Sequence, residues 1–383
     1  MVDAILFWLA VVMLVGIVAV AAELMLGSRS LRHLRGVTAG EARPKVSVIV
    51  AARNEARKIE PALQSLLQQD YPNIEFIVVD DRSMDETGEI LDRMAHTDGR
   101  LKVVHVTELP AGWLGKTYAQ HTGAAHATGE LLLFTDADVH MESSVIGRAV
   151  NFLLTEKLDH LTIAPQVTMP STLLEMFGGA FTILFGLYAK PWKASDPKSK
   201  QFIGIGAFNF LRADVYRAIG GHVPIAMRPD DDMKFGKLVK KNGYRQEMLL
   251  GDGLLTVEWY SSVRELTRGL EKNSFAGVEY NLAVVIASTV AQFLMFVWPM
   301  VALFVTAGTT RWLNAAIVLT VAVLYVGNAR LHGLKRWHWI ALPVTALLFL
   351  YIFWRATVKA ILNGGIDWRG THYSLAELKA NKV

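Results

Sequence analysis

Leu131-Leu-Leu-Phe-Thr-Asp136-Ala-Asp138 decides how this chain is read, because four apolar residues of a buried strand run straight into two carboxylates one residue apart. Side chains at i and i+2 of a strand point the same way, so Asp136 and Asp138 at its end can hold one hard cation between them. A divalent ion bound by one or two carboxylates keeps open positions, and phosphate oxygens of a nucleotide are the usual occupants. Taken alone, the pair also reads as a turn or a helix cap.

The flanking pattern adds weight to the nucleotide reading. Short apolar runs at 46–50, 75–80, 101–106 and 131–135 read as strands, and 56–69, 87–94 and 118–127 read as helices between them. That βαβαβαβ order predicts an α/β domain with a mainly parallel sheet and helices on both faces, whose site lies at the carboxyl ends of the strands. Three of those ends carry polar clusters: Arg53-Asn54-Glu55, Asp80-Asp81-Arg82-Ser83 and Asp136-Ala-Asp138. One such cluster is ordinarily a cap, and Asp85 or Thr87 can cap the helix at 87–94. Convergence of three on one edge calls for a ligand. No Gly-x-Gly-x-x-Gly follows the first strand and no Walker-type loop occurs, which disfavours a dinucleotide or P-loop site and leaves carboxylates with a metal.

Composition places this domain beside a membrane. With 383 residues, 52% of them hydrophobic, and a mean hydropathy of +0.29, the chain is too apolar for an ordinary soluble enzyme. Residues 4–26 carry one charge, Glu23, and are long enough to cross about 30 Å of hydrocarbon as a helix. Residues 282–307, 312–326 and 339–354 are further candidates, and the shortness of 312–326 suggests that one of the three is re-entrant or interfacial. No basic segment precedes the first run and no small-residue cleavage site follows it, so it is expected to be a retained anchor. Arg29, Arg32, Arg35 and Arg43 come directly after it, which puts the following domain on the cytoplasmic side of the inner membrane. The absence of cysteine excludes disulfides, thiolate metal sites and a cysteine nucleophile. A net charge of +4 without an interleaved basic and aromatic surface gives no support for nucleic-acid binding.

The ordered motifs Val46-Ser-Val-Ile-Val-Ala-Ala-Arg-Asn-Glu55, Val78-Val-Asp-Asp-Arg-Ser83 with Asp85 and Thr87, and Asp136-Ala-Asp138 resemble those of the family 2 glycosyltransferases over about 45–260. These are inverting enzymes of GT-A fold that use nucleotide-sugar donors. The resemblance is to membrane-anchored members acting on lipids, of the ceramide, hopanoid or carotenoid type. It implies that Glu55 and Asp81 contact the nucleoside and that Ala52 and Asp80 belong to the same donor site. It also implies that Asp138 binds Mg2+ or Mn2+ on the diphosphate, while Asp136 reaches the ribose or the metal through water. Lys116, in Gly112-Trp-Leu-Gly-Lys116 at a helix start, is placed on a donor phosphate by the resemblance and by the helix dipole; its alternative is a solvated loop lysine.

Inversion needs a base for the acceptor hydroxyl. Arg228-Pro-Asp230-Asp231-Asp232, anchored on Gly236, resembles the family's acidic motif, with Asp231 and Asp232 as its pair and Asp232 as the expected base. The choice among Asp230, Asp231 and Asp232 stays open at this point, since crowded carboxylates also form solvated turns. Gly204-Ile-Gly206-Ala-Phe-Asn209-Phe and Gly220-Gly221-His222 resemble the acceptor-side segment, with ordinary turn glycines as the alternative. Arg268, in Arg264-Glu-Leu-Thr-Arg268-Gly269, stands where processive relatives carry Gln-x-x-Arg-Trp. It is assigned to the diphosphate, or else to lipid phosphates on a membrane-surface helix.

The expected organisation is an anchor at 1–27, a GT-A domain at 44–260 with an interfacial helix near 172–192, an interfacial helix at 261–281, transmembrane helices at 282–362 and a tail at 363–383. Arg355, Lys359 and the Trp368-Arg-Gly resemblance favour a cytoplasmic tail, whereas three spans would leave it outside. The expected activity is transfer of one hexose from a nucleotide sugar, with UDP as the nucleotide, to a membrane lipid at the cytoplasmic face. The alternatives are a processive polysaccharide synthase and a non-catalytic membrane scaffold that binds nucleotide.

Overall fold

Unbroken β-branched runs in the sequence become strands buried on both faces. In the computed structural model, which describes residues 1–383, Val46, Val48, Ile49 and Val50 are buried, as are Ile77, Val78 and Val79. The strands are β1 (Arg32–His33), β2 (Val46–Ala52), β3 (Ile74–Asp81), β4 (Leu101–Val106), β5 (Leu131–Asp136) and β6 (Val139–Met141). They continue with β7 (His160–Ala164), β8 (Gln166–Thr168), β9 (Asn209–Arg212), β10 (Gln246–Leu250) and β11 (Leu255–Glu258).

Eight of them form one sheet in the order β1-β10-β7-β9-β5-β2-β3-β4, parallel except for β9, which runs antiparallel to β5 and β7. A small second sheet pairs β11 with β6 antiparallel and with β8 parallel. Alternation along the central strands supplies a core to each face. Val48, Val50, Phe76, Val78 and Leu133 join one cluster, while Ile49, Ile77, Val79, Leu132 and Phe134 join the other. The expected parallel α/β sheet is therefore present, with helices Ile59–Leu67, Thr87–Ala95 and Gly115–His126 between its first strands. The last of these begins at Gly115, three residues before the predicted start, which takes Lys116 into its first turn.

The chain divides into two units. The sheet belongs to Leu31–Thr168, Pro191–Glu258 and Glu377–Val383; Met1–Ser30, Met169–Lys190 and Trp259–Ala376 make up the other. Of the arginines after the first apolar run, Arg32 is committed inside the sheet unit. Its Nε donates to Glu247 at 2.7 Å and its Nη1 to Glu156 at 2.7 Å.

The second unit is helical apart from an antiparallel hairpin of β12 (Gly365–Trp368) and β13 (Thr371–Ser374). Val2–Ser28, Thr172–Lys193, Leu282–Val305, Gly308–Leu331 and Arg336–Leu362 are long and apolar enough to cross a membrane. The run at 312–326, short in sequence, lies within a 24-residue helix, because Gly308-Thr-Thr-Arg311 and Asn328-Ala-Arg330 extend it with polar turns at both ends. Leu282–Val305 is interrupted by one wide turn at Phe293–Val297, just before Pro299, whose missing N–H makes such a break inexpensive.

Helix Thr172–Ala189 starts at Ser171, whose hydroxyl accepts the Leu174 N–H, and stops at Lys190 in the left-handed region. Its Leu174 and Phe177 pack with Leu266 and Leu270 of helix Val263–Ser274 and with Ile352 of helix Leu342–Leu362. Glu175 pairs with Lys335 at 2.8 Å and Glu271 with Lys359 at 2.9 Å. Apolar side chains such as Trp8, Val12, Val15, Leu319, Val323, Leu347 and Tyr351 remain exposed on these helices, far more apolar surface than water tolerates on a monomer. This unit is built for lipid.

Candidate active site

Register brings the predicted clusters level with one another. Ala51 pairs with Asp136 across β2 and β5, and Ala52 pairs with Asp80 across β2 and β3, so three strands end on one line. Ala52 is buried there, a small floor between two acidic ends. Asp80 accepts the Ser83 N–H at 3.2 Å and lies 3.1 Å from His105 Nδ1. Asp92 first, then Asp80, hold the His105 imidazole above its usual range. Asp81 is paired with Arg82 Nε at 2.7 Å and Arg53 Nη1 at 3.4 Å, with its side chain only 5% exposed. The loop that carries Glu55 is fixed to the end of β3: Asn54 N–H donates to Ser83, Glu55 N–H to Thr87 at 2.8 Å and Ala56 N–H to Asp85. Asp85 and Thr87 thus hold that loop, a role beyond the capping expected of them.

The second half of the site surrounds Lys116. Its Nζ lies 2.7 Å from Asp136 and 3.5 Å from Asp231. Burial alone would depress the ammonium, but the fields of Asp136, Asp231 and Asp232 raise it, so Lys116 is permanently charged. The solvated-loop alternative for this residue is excluded by that surround. Asp138 follows the end of β5 in a turn, and it faces Lys58 at 3.3 Å. The two aspartates therefore contact different lysines instead of standing side by side on the strand. They still sense one another: burial, then Asp136 and Glu55, raise the Asp138 carboxyl, and Lys58 opposes them.

The three adjacent aspartates separate by environment. Asp230 is gripped by the buried Arg228 guanidinium, Nε at 2.8 Å and Nη2 at 2.9 Å, with Lys234 at 3.5 Å; it is a structural ion pair. Asp231 faces Lys116. Asp232 accepts the Gly206 N–H at 3.0 Å and the Met233 N–H at 2.7 Å. Burial and then Asp231 push its carboxyl up to about 6, partly offset by Lys116.

Two glycines leave room for this cluster. A Cβ on Gly206 would sit 2.6 Å from Asp136 Oδ2 and 3.3 Å from Lys116 Nζ, and one on Gly204 would collide with the Asp232 carbonyl. Gly220 and Gly221 have a different cause. Both adopt positive φ, and they turn the chain so that His222, 2% exposed, packs between Phe134 and Phe235 with its Nδ1 2.9 Å from the Tyr216 hydroxyl. The glycine-histidine segment expected to shape the acceptor pocket is thus a buried support beneath the carboxylates.

No group of three metal-ligating side chains occurs in the chain. Two carboxylates one residue apart, already close enough for one to raise the other, fit a Mg2+ or Mn2+ ion that takes its remaining ligands from phosphate and water. Asp136 and Asp138 are the residues that would hold it. Arg268 lies on helix Val263–Ser274 in the helical unit. Lys58 went unnoticed in the sequence, and Arg53, Arg82 and Arg228 stood inside the quoted motifs without a role, since a single basic residue beside a helix start or turn carries no periodic signal.

Comparison with known proteins bears on the domain and its fold. The model of glycosyl transferase family 2 matches residues 47–219. A 4,4'-diaponeurosporenoate glycosyltransferase of Staphylococcus haemolyticus is 25% identical over 286 residues, covering 74% of this chain and 72% of that protein. Its counterpart in Staphylococcus aureus strain bovine RF122 / ET3-1 is 22% identical over 90% of this chain and 93% of its own. Among solved structures, a mannosyltransferase from Pyrobaculum calidifontis, in complex with GDP-Man and Mn2+, superposes with a TM-score of 0.53 at 20% identity, covering 94% of this chain and 99% of the other. With its acidic strand ends gathered on a mainly parallel sheet, the chain carries a glycosyl transferase family 2 domain of GT-A fold and is a glycosyltransferase of EC class 2.4.

Proposed function

We propose that this enzyme transfers one sugar, with inversion, from a UDP-sugar to a carotenoid-type membrane lipid at the cytoplasmic face. The observation that carries the chemistry is Asp232: a carboxyl raised to about 6, hydrogen-bonded to Gly206 and placed in the same cluster as Lys116, Asp136 and Asp231. A base works best with a pKa near the working pH, and the raised Asp232 carboxyl approaches it.

The acceptor oxygen attacks the anomeric carbon as its proton passes to Asp232, and the bond from that carbon to the diphosphate oxygen breaks with its electron pair leaving on the diphosphate. Lys116 supplies fixed positive charge for that leaving group, and its helix N-terminus adds N–H groups of the same sign. Glu55, Asp80, Asp81 and Ala52 form the nucleoside end. Asp136 and Asp138 would hold the Mg2+ or Mn2+ ion, which supplies charge neutralisation on the diphosphate. Arg268 is assigned to a phosphate, of the donor or of a lipid headgroup. The five apolar helices support a multi-pass membrane enzyme, and Arg29, Arg35 and Arg43 support a cytoplasmic catalytic face.

The relatives' name favours a second reading of the acceptor. Diaponeurosporenoate carries a carboxylate, which is ionised at neutral pH and needs no base. A panel of nucleotide sugars, with carotenoid acids and lipid alcohols as acceptors, separates the two in purified enzyme supplied with Mn2+ or Mg2+. Transfer that collapses in Asp138→Asn and Asp232→Asn supports the hydroxyl reading; transfer to a carotenoid acid that survives Asp232→Asn supports the carboxylate one. Absence of nucleotide release from every donor would sink both and leave the scaffold.

A further inference from the structure

Asn381 is more than a hundred residues from the acidic motif in sequence, yet its side chain closes on the loop that leads into it. Its Oδ1 accepts the Met227 N–H at 3.0 Å and its Nδ2 donates to the Pro224 carbonyl at 2.9 Å. Next along the loop, the buried Arg228 reaches the Asn381 carbonyl with Nη1 at 3.5 Å while holding Asp230 with its other nitrogens. From its other side the loop is tied to the start of the Lys116 helix: the Ala226 carbonyl accepts the Leu114 N–H at 2.9 Å and the Thr117 hydroxyl at 2.6 Å. The segment around Asn381 is itself anchored. Leu378 is fully buried, Val383 packs against the core cluster of Ile49 and Phe134, and Lys237 Nζ donates to the Val383 carbonyl at 2.6 Å.

We propose that residues 377–383 are a positioning element for catalysis, in which Asn381 sets the loop at 223–230 so that Asp231 and Asp232 stand against Lys116. The proposal rests on the reading of Asp232 as base. Within the loop, 3-10 turns bond the Ile225, Ala226 and Arg228 N–H groups to carbonyls three residues back, while the Met227 N–H and the Pro224 carbonyl are met by Asn381, whose amide, with one acceptor and one donor, fixes the loop at two points. A topological consequence follows. The chain leaves the sheet unit after Glu258, runs through Leu282–Val305, Gly308–Leu331 and Arg336–Leu362, and is part of the sheet unit again from Glu377. A chain that returns to the same side crosses a bilayer an even number of times, so those three helices do not all cross. The same argument applies to Thr172–Lys193, which is flanked by β8 and β9 of one unit and makes no single crossing.

The test uses full-length enzyme in membranes. Asn381→Ala is expected to lower kcat by about ten- to a hundredfold, since small misplacements of catalytic groups cost that much, with donor KM within about twofold. It is also expected to move the acidic limb of the pH–rate profile, whereas Lys379→Ala on the exposed side of the same segment leaves both unchanged. A purely structural role would lower the yield of folded enzyme and leave kcat per folded molecule and the acidic limb as in wild type; that outcome overturns the proposal. Because the chain has no cysteine, Lys382→Cys and Glu89→Cys can be labelled singly in sealed vesicles with an impermeant maleimide. Labelling from the same side is expected, and labelling from opposite sides overturns the proposal whatever the activity. If wild type transfers no sugar while both cysteines label from one side, the catalytic reading fails and the docking of the segment stands.

Discussion

Replacing Asp232 by Asn removes the expected base and at the same time relieves a buried charge, so activity and stability are expected to move in opposite directions. The carboxyl is raised from 3.8 to about 6, and each unit corresponds to about 1.36 kcal/mol, so ionising Asp232 in the folded protein costs roughly 3 kcal/mol at most. A raised carboxyl gives its full stabilising contribution below pH 3.8 and loses it as pH climbs to about 6, beyond which the loss is constant. The amide mimics the neutral acid and escapes that loss. The stability of Asp232→Asn relative to wild type is therefore expected to grow between pH 4 and pH 6 and then level off, whatever fixed cost the amide pays against the Gly206 and Met233 N–H groups. For a domain of this size that growth corresponds to several degrees in Tm, about 2–4 °C per kcal/mol. Thermal unfolding in detergent across pH 4–8 reads the stability, and sugar transfer to a lipid alcohol reads the activity, expected to fall by about 10²–10⁴-fold. A variant that transfers sugar to the alcohol at more than a tenth of the wild-type rate, or a stability difference flat in pH, would refute the reasoning.

Asp230→Asn acts on stability: it strands the buried Arg228 guanidinium and costs about 3–5 kcal/mol, read by thermal unfolding as loss of folded protein, and an unchanged Tm would refute the structural role of the pair. Gly206→Ala pushes a methyl to within 2.6 Å of Asp136, so at least a tenfold loss of kcat/KM is expected with Tm close to wild type; an unimpaired variant would mean that the cluster is not the site. Lys58→Met removes the cation beside Asp138 and is expected to tighten Mn2+ binding several-fold in a paramagnetic-resonance titration, and an unchanged Kd would remove Asp138 from the metal site. For Glu75, burial would raise the carboxyl, but hydrogen bonds from Ser47 and Thr128 carry it down to about 2, so its contribution is present above about pH 4.5 and lost as pH falls toward 2. Glu75→Gln should accordingly destabilise by about 2–3 kcal/mol at pH 7 and progressively less below pH 4, as read by denaturant unfolding.

Much of this protein follows from local pattern. Runs such as Val46 to Val50 and Leu131 to Phe134 are too apolar and too short for anything but buried parallel strands, and the polar residues that end them mark the carboxyl edge where the site lies. The apolar helices are equally legible, since about twenty residues without charge have few other uses. What local pattern does not encode is which partner each charge finds. Asp230, Asp231 and Asp232 are one run of identical residues, and only the fold assigns the first to Arg228, the second to Lys116 and the third to the Gly206 N–H.

The same holds for Gly220-Gly221-His222, which looks like a ligand loop and turns out to be packed under the carboxylates by Phe134 and Phe235. It holds too for Lys58, a lone basic residue that becomes the neighbour of Asp138 once helix Ile59–Leu67 is laid beside the end of β5. Strand identity, sheet class and membrane helices come from hydrophobic burial, which is written in the periodicity of single segments. Charge pairing and the return of residues 377–383 to the sheet unit come from contacts between separate segments, more than a hundred residues apart for Lys116 with Asp231 and for Asn381 with Met227, and these exist only after the sheet has brought the segments together.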